Sequence, residues 1–191
     1  MSILARLTEK SWEPGEQPVE RERPSAGTVG TLAYFAVATV MFTLLVAAYL
    51  MRMGLHGGVD HVHDWKPMPH PPLLWINTLV LIASSLAWEG ARRRGDIRAA
   101  IAGAALGMLF LAGQVLLWQH YQAAGYYLST NPANAFFYLL TALHGLHIVG
   151  GLVAAGRALA AANMRNVALC AIYWHFLLVI WLILAALLLL T

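Results

Sequence analysis

Apolar residues in this chain run in continuous blocks, and five blocks are long: about residues 28–51, 72–91, 99–120, 134–159 and 167–190. A helix needs roughly 20 residues to cross about 30 Å of hydrocarbon, so each block is predicted to be a transmembrane helix. Barrel strands would alternate apolar and polar positions, whereas a spanning helix satisfies its own main chain. The expected fold is all-α, a polytopic bundle of five transmembrane helices over residues 27–191, preceded by a mobile tail at residues 1–26. That tail mixes Lys, Arg and Glu with Pro14, Pro18 and Pro24, and has too little apolar surface to offset the entropy of ordering. It has no apolar segment of the kind a cleavable signal peptide carries, so the first block is expected to direct insertion.

The composition agrees with this pattern. Of 191 residues 60% are hydrophobic and 11% charged, which excludes an ordinary soluble domain. The net charge of +3 lies at the ends of the apolar blocks and not in a stripe, so it reports topology and implies no nucleic-acid partner. Arg6, Lys10, Arg21, Arg23, Arg92, Arg93, Arg94, Arg98, Arg157 and Arg165 fall on one side, against Arg52 and Lys66 on the other. The positive-inside rule then predicts a cytoplasmic N-terminus and an outer C-terminus. Cys170 is the single cysteine, so neither a disulfide framework nor a thiolate cluster can be built from this chain.

The segments between the blocks hold the candidate chemistry. The outer loop from Leu55 to Pro72 is irregular, with Trp65 expected at headgroup level. It contains His61 and His63 beside Asp60 and Asp64, the ligand types for a transition metal; as a plain solvated loop it needs no metal, and that reading weighs more. Glu89 stands three and four residues before Arg92 and Arg93, the spacing of an ion pair at the headgroups, which is preferred over a proton relay. Gly103 and Gly107 form a GxxxG that would let another helix approach closely. The second outer loop has Tyr126 and Tyr127 as interfacial anchors, and Asn131–Pro132 is expected to turn into the fourth helix.

Histidines within the spans pose the sharpest question, because polar side chains at bilayer depth face protein or cavity and are often functional. His144 and His147 are one turn apart and share a face with Thr141 and Gly151; His175 lies in the fifth block, where Trp174 and Trp181 are seven apart on a common face. One reading is an independent haem or metal protein ligated by His144, His147 and His175. The favoured reading is interhelical hydrogen bonding, with Gly145, Gly150 and Gly151 allowing close packing. No mid-membrane carboxylate completes a di-iron set, and there is no buried charge of the kind a stand-alone ion carrier needs.

FFYLLTALHGLHIVGG at 136–151 and YWHFLLVIW at 173–181 resemble the paired signatures of subunit III of the haem–copper oxygen reductases, the cytochrome c oxidase subunit III family, in its five-helix bacterial form. Supporting stretches are Asp64–Trp65, WINTLVLIASS at 75–85 with Asn77, and GQVLLWQ at 113–119 with Gln114. The resemblance covers the chain from about Gly27 to its end. It implies an accessory role in a bacterial plasma membrane: no redox centre, cofactor or metal in this chain, haem and copper in partner subunits, packing beside subunits I and II, bound phospholipid, and support of proton uptake. The complex would oxidise cytochrome c and reduce dioxygen; a quinol oxidase or a nitric oxide reductase complex is the alternative within the family. His144, Gly145, His147, Gly150, Gly151, Tyr173, Trp174, His175 and Trp181 then count as packing signatures. Two positions depart from the family pattern: Thr39 stands where it often has a buried Glu, and Leu178 where it often has an Asp.

Overall fold

The computed structural model describes residues 25–54 and 72–190, so His61 and His63 lie outside the described residues. Among the described residues there are five helices: α1 (Ala26–Gly54), α2 (Pro72–Arg94), α3 (Ile97–Ala123), α4 (Pro132–Ala160) and α5 (Met164–Leu190). All five are long and apolar enough to cross a membrane. Each expected span is present and begins or ends up to three residues beyond its apolar block. The extensions are capped: Asp96 accepts from the Arg98 amide at the start of α3, Asn131 from Ala133 at the start of α4, and Asn163 from Arg165 before α5. A cap satisfies amides that the helix itself leaves unpaired, so the helix continues past its apolar part. Pro132 occupies the first turn, where its missing N–H costs nothing.

The turns between α2 and α3 and between α4 and α5 are short and lie at the arginine-rich end of the bundle. Gly95 adopts φ 65° in the first of them, a conformation that suits a residue without Cβ. Helices α2 to α5 form a compact four-helix group whose core stacks in layers. Nearest the arginine-rich end, Trp88 and Trp174 meet at 5.0 Å between ring centroids, among Ala91, Ala100, Ala155 and Ala171. In the middle are Leu81, Phe110, Ile148, Leu177 and Trp181, with Leu178 partly buried against them. Toward the other end lie Leu74, Leu117, Tyr121, Phe137 and Tyr138.

Helix α1 is attached differently. It buries only Ala38, Phe42 and Tyr49, against α4 and α5. Phe35 stacks on Phe176 at 4.4 Å. Thr39 points away from this seam and is exposed.

Candidate functional site

Several polar residues inside the bundle tie helices together. Ser84 on α2 donates to the Gly103 carbonyl of α3 at 2.7 Å and accepts from Trp174 Nε1 of α5 at 2.7 Å, so one hydroxyl joins three helices. Two turns along, Thr78 donates to its own helix at Leu74 and accepts from Trp181 Nε1 at 3.0 Å. The seven-residue spacing of the two tryptophans therefore matches a pair of hydroxyls on α2. Asn77 donates from its amide to Gln114 Oε1 at 3.3 Å, which ties α2 to α3. Trp118 Nε1 donates to Thr141 Oγ1 at 3.1 Å, which ties α3 to α4. Each such bond contributes on the order of 0.6 kcal/mol in a membrane setting; their larger effect is on register, since a buried polar group without a partner is costly.

Of the glycines singled out from the sequence, three are closed by aromatic rings and two are not. A Cβ at Gly103 would lie 2.7 Å from Trp88 Cδ1, one at Gly107 2.9 Å from Trp174 Cζ2, and one at Gly151 2.6 Å from Tyr173 Cε1. The GxxxG admits indole rings from α2 and α5, and the Gly103 carbonyl accepts directly from Ser84 of α2. Gly145 meets Leu111 at an ordinary 3.6 Å, and Gly150 meets nothing within 4 Å among the described residues.

The three histidines do not converge. His144 is fully buried between Phe110, edge to face at 5.8 Å, and Trp181 at 5.2 Å, and neither ring nitrogen has a hydrogen-bond partner among the described residues. His147, 60° round the helix from it, faces α1 between Tyr34 and Phe42, so the two histidines serve different seams despite their shared signature. Its Nδ1 is 2.6 Å from the Leu143 carbonyl; a carbonyl only accepts, so Nδ1 carries the hydrogen. The His147 carbonyl accepts from Tyr173 Oη at 2.8 Å, and Tyr34 Oη lies 3.1 Å from that hydroxyl. His175 turns to α2, with Nδ1 2.6 Å from Ser85 Oγ and Nε2 3.1 Å from Glu89 Oε2. Glu89 also binds Arg92 at 2.6 Å and Arg93 at 2.5 Å, so the expected ion pair forms with both arginines and includes an imidazole that sequence spacing did not reveal. Among the described residues these three imidazoles therefore form no common ligand set.

One cavity of about 560 Å³ opens between α1, α4 and α5 at the arginine-rich end. Gly27, Gly30 and Gly150 line its apolar part, Tyr34 and Tyr173 its inner wall, and Arg157 and Asn166 its polar part.

Comparison with known proteins places this architecture. The chain is 35% identical over 186 residues to cytochrome c oxidase subunit 3 of Thermostichus vulcanus, covering 87% of this chain and 88% of that protein. It belongs to the cytochrome c oxidase subunit 3 family. It is also 30% identical over 177 residues to a probable cytochrome c oxidase subunit 3 of Mycobacterium tuberculosis, covering 83% of this chain and 85% of that one. With a probable quinol oxidase subunit 3 of Staphylococcus saprophyticus it shares 26% identity over 176 residues, 84% of this chain and 88% of the relative. No family model matches the chain. As a cytochrome c oxidase subunit 3 relative with five apolar helices, it is a multi-pass membrane protein and part of a multi-subunit oxidase.

Proposed function

We propose that this chain is the accessory subunit III of a respiratory haem–copper oxidase in a bacterial plasma membrane, with its N-terminus cytoplasmic. Haem and copper belong to subunits I and II; this chain supports assembly, lipid binding and sustained proton uptake by subunit I. The observation that carries the reading is the 35% identity over 87% of the chain, joined to the use made of the signature residues. Trp174, Trp181, Asn77 and Gln114 are engaged in holding helices together, and the histidines present no common ligand set. Cytochrome c is taken as the electron donor because the relatives named for it are more similar than the one named for quinol.

The cavity beside Arg157 suits a phospholipid, with a guanidinium for the phosphate and a glycine-lined wall for an acyl chain. Gentle extraction followed by mass spectrometry of the intact complex tests the proposal. The expected particle contains this chain, haem-bearing partners in fixed ratio and retained phospholipid. A chain that purifies alone as a stable haem protein overturns the proposal. Turnover with cytochrome c against quinol identifies the donor.

His147→Leu is expected to cost about 1 kcal/mol, mainly at the α1 seam, through loss of one hydrogen bond and its ring contacts. The content of this subunit per haem should fall, while turnover per haem in surviving complexes is retained. A large loss per haem at normal subunit content would contradict this placement of His147.

A further inference from the structure

The ties between helices leave polar atoms in the middle of the bundle without a hydrogen-bond partner among the described residues: Gln114 Nε2 on α3 and both ring nitrogens of His144 on α4. Gln114 is 4% exposed and His144 0%. An amide or an imidazole held so far from water without a partner costs free energy. Trp88 Nε1 and Asn134 Oδ1 are also buried without a partner there, but they lie singly, one in the layer nearest the arginine-rich end and the other in the first turn of α4.

The direction of the Gln114 amide follows from its neighbour. Asn77 Nδ2 lies 3.5 Å from the Phe110 carbonyl and 3.3 Å from Gln114 Oε1. A carbonyl only accepts, so the nitrogen of Asn77 faces α3 and directs both of its hydrogens there; Gln114 answers with oxygen, and its own NH2 points away from Asn77. On α3, Phe110 precedes Gln114 by one turn and meets the His144 ring edge to face at 5.8 Å. Trp118 follows by one turn and donates to Thr141, three residues before His144. Residues four apart share a helix face, so Gln114 lies on the face of α3 turned to α4, at the level of His144. Gly145 adds no side chain at this level, and a Cβ there would meet Leu111 at an ordinary 3.6 Å, so the seam is not drawn tight beside the ring.

The donor pattern selects the occupant. Gln114 Nε2 only donates, whereas a neutral imidazole has one donor and one acceptor nitrogen. Water accepts from the amide, and it then either donates to the acceptor nitrogen or accepts from the ring N–H, so it suits both tautomers. A metal does not fit, since an amide NH2 offers it no lone pair. An anion would meet no cationic side chain in this layer, which consists of Leu81, Phe110, Ile148, Leu177 and Trp181. Buried waters typically make about two to four hydrogen bonds to groups that are otherwise unpaired, and the amide and the ring supply two.

We infer that Gln114 Nε2 and one ring nitrogen of His144 hold a buried water between α3 and α4. Asn77, Gln114, the water and His144 then form a continuous polar row from α2 through α3 to α4. The row gives His144 a hydrogen bond where Phe110 and Trp181 enclose it, and it fixes the register of α3 against α4 one turn from the Trp118–Thr141 tie. The site is a property of this chain alone and does not rest on the oxidase reading.

Proton-detected solid-state NMR on the full chain, labelled with heavy nitrogen and carbon in deuterated phospholipid bilayers, tests this, with the His144 ring and the Gln114 side chain identified by sequential assignment. Magnetisation from water should reach both groups although both are buried. In Gln114→Met, which keeps the length but not the amide, transfer to the His144 ring should fall by about threefold or more, because the water loses one of its two anchors. Circular dichroism confirms that the variant is folded; if it is not, His144→Phe takes its place, and transfer to the Gln114 amide should fall by the same factor. A wild-type His144 ring that receives nothing from water, a transfer that these variants leave unchanged, or a direct contact between the Gln114 amide and the ring nitrogen overturns the inference.

Discussion

Trp174→Ala is expected to be among the most damaging single changes in this chain, with a loss of about 3–5 kcal/mol and a fall of roughly 10 °C in the unfolding midpoint of the solubilised protein. The indole is fully buried, stacks obliquely on Trp88, fills the notches left by Gly107 and Gly151, and donates to Ser84. Truncation opens a cavity where α2, α3, α4 and α5 meet, and neighbours already closed on glycine cannot collapse into it. Two comparisons separate the contributions. Trp174→Phe keeps most of the ring volume but removes the donor to Ser84, and should cost about 1–2 kcal/mol. Trp75→Ala, at a tryptophan that is 55% exposed on α2, should have little effect on the bundle itself. Thermal denaturation of the three variants gives the order; an alanine loss no larger than the phenylalanine loss would show that the cavity is not what matters.

Gly113→Ala is expected to cost about 1–3 kcal/mol, a large effect for one methyl group. The added carbon would overlap Asn77 Oδ1, and Asn77 is 2% exposed and committed through its amide to Gln114 Oε1. Relief requires Asn77 to leave that bond, so clash and lost hydrogen bond act together. The double variant Gly113→Ala/Asn77→Ser should recover part of the loss, with a favourable coupling of about 0.5–3 kcal/mol between the two sites. Gly150→Ala provides the contrast: nothing among the described residues lies within 4 Å, and alanine is the better helix former by about 1 kcal/mol, so stability should hold or rise. Guanidinium or thermal unfolding of the single and double variants decides it, and additive losses would rule out the Asn77 clash.

These glycines mark the limit of what the sequence revealed. Gly103, Gly107, Gly145, Gly150 and Gly151 look alike in the chain, yet three receive aromatic rings, one makes an ordinary contact and one lines a cavity. What distinguishes them is the side chain a different helix brings opposite, and local sequence does not hold that information. The histidines follow the same logic. His144 and His147 differ by 60° round α4, a small angle on a helical wheel, but α4 is flanked by α3 and α5 on one side and α1 on the other. That angle is enough to send one ring into the core and the other to the α1 seam. Glu89 was legible as the partner of two arginines because all three lie on one helix; its bond to His175 joins residues 86 apart in the chain.

The sequence by itself determined that five helices form, that each is long and apolar enough to span a membrane, where the turns fall, and which family the chain resembles. These are properties of hydrophobic block length, caps and local signatures, and they act within a single helix or turn. Only the tertiary structure decided which hydroxyl receives each tryptophan, which glycine is filled, and that His175 belongs with Ser85 and Glu89 and not with His144 and His147. Those outcomes depend on the rotation and depth of each helix relative to its neighbours. That rotation is fixed by the fit of many side chains at once, since in an apolar surrounding burial alone gives a helix little preference for one face over another.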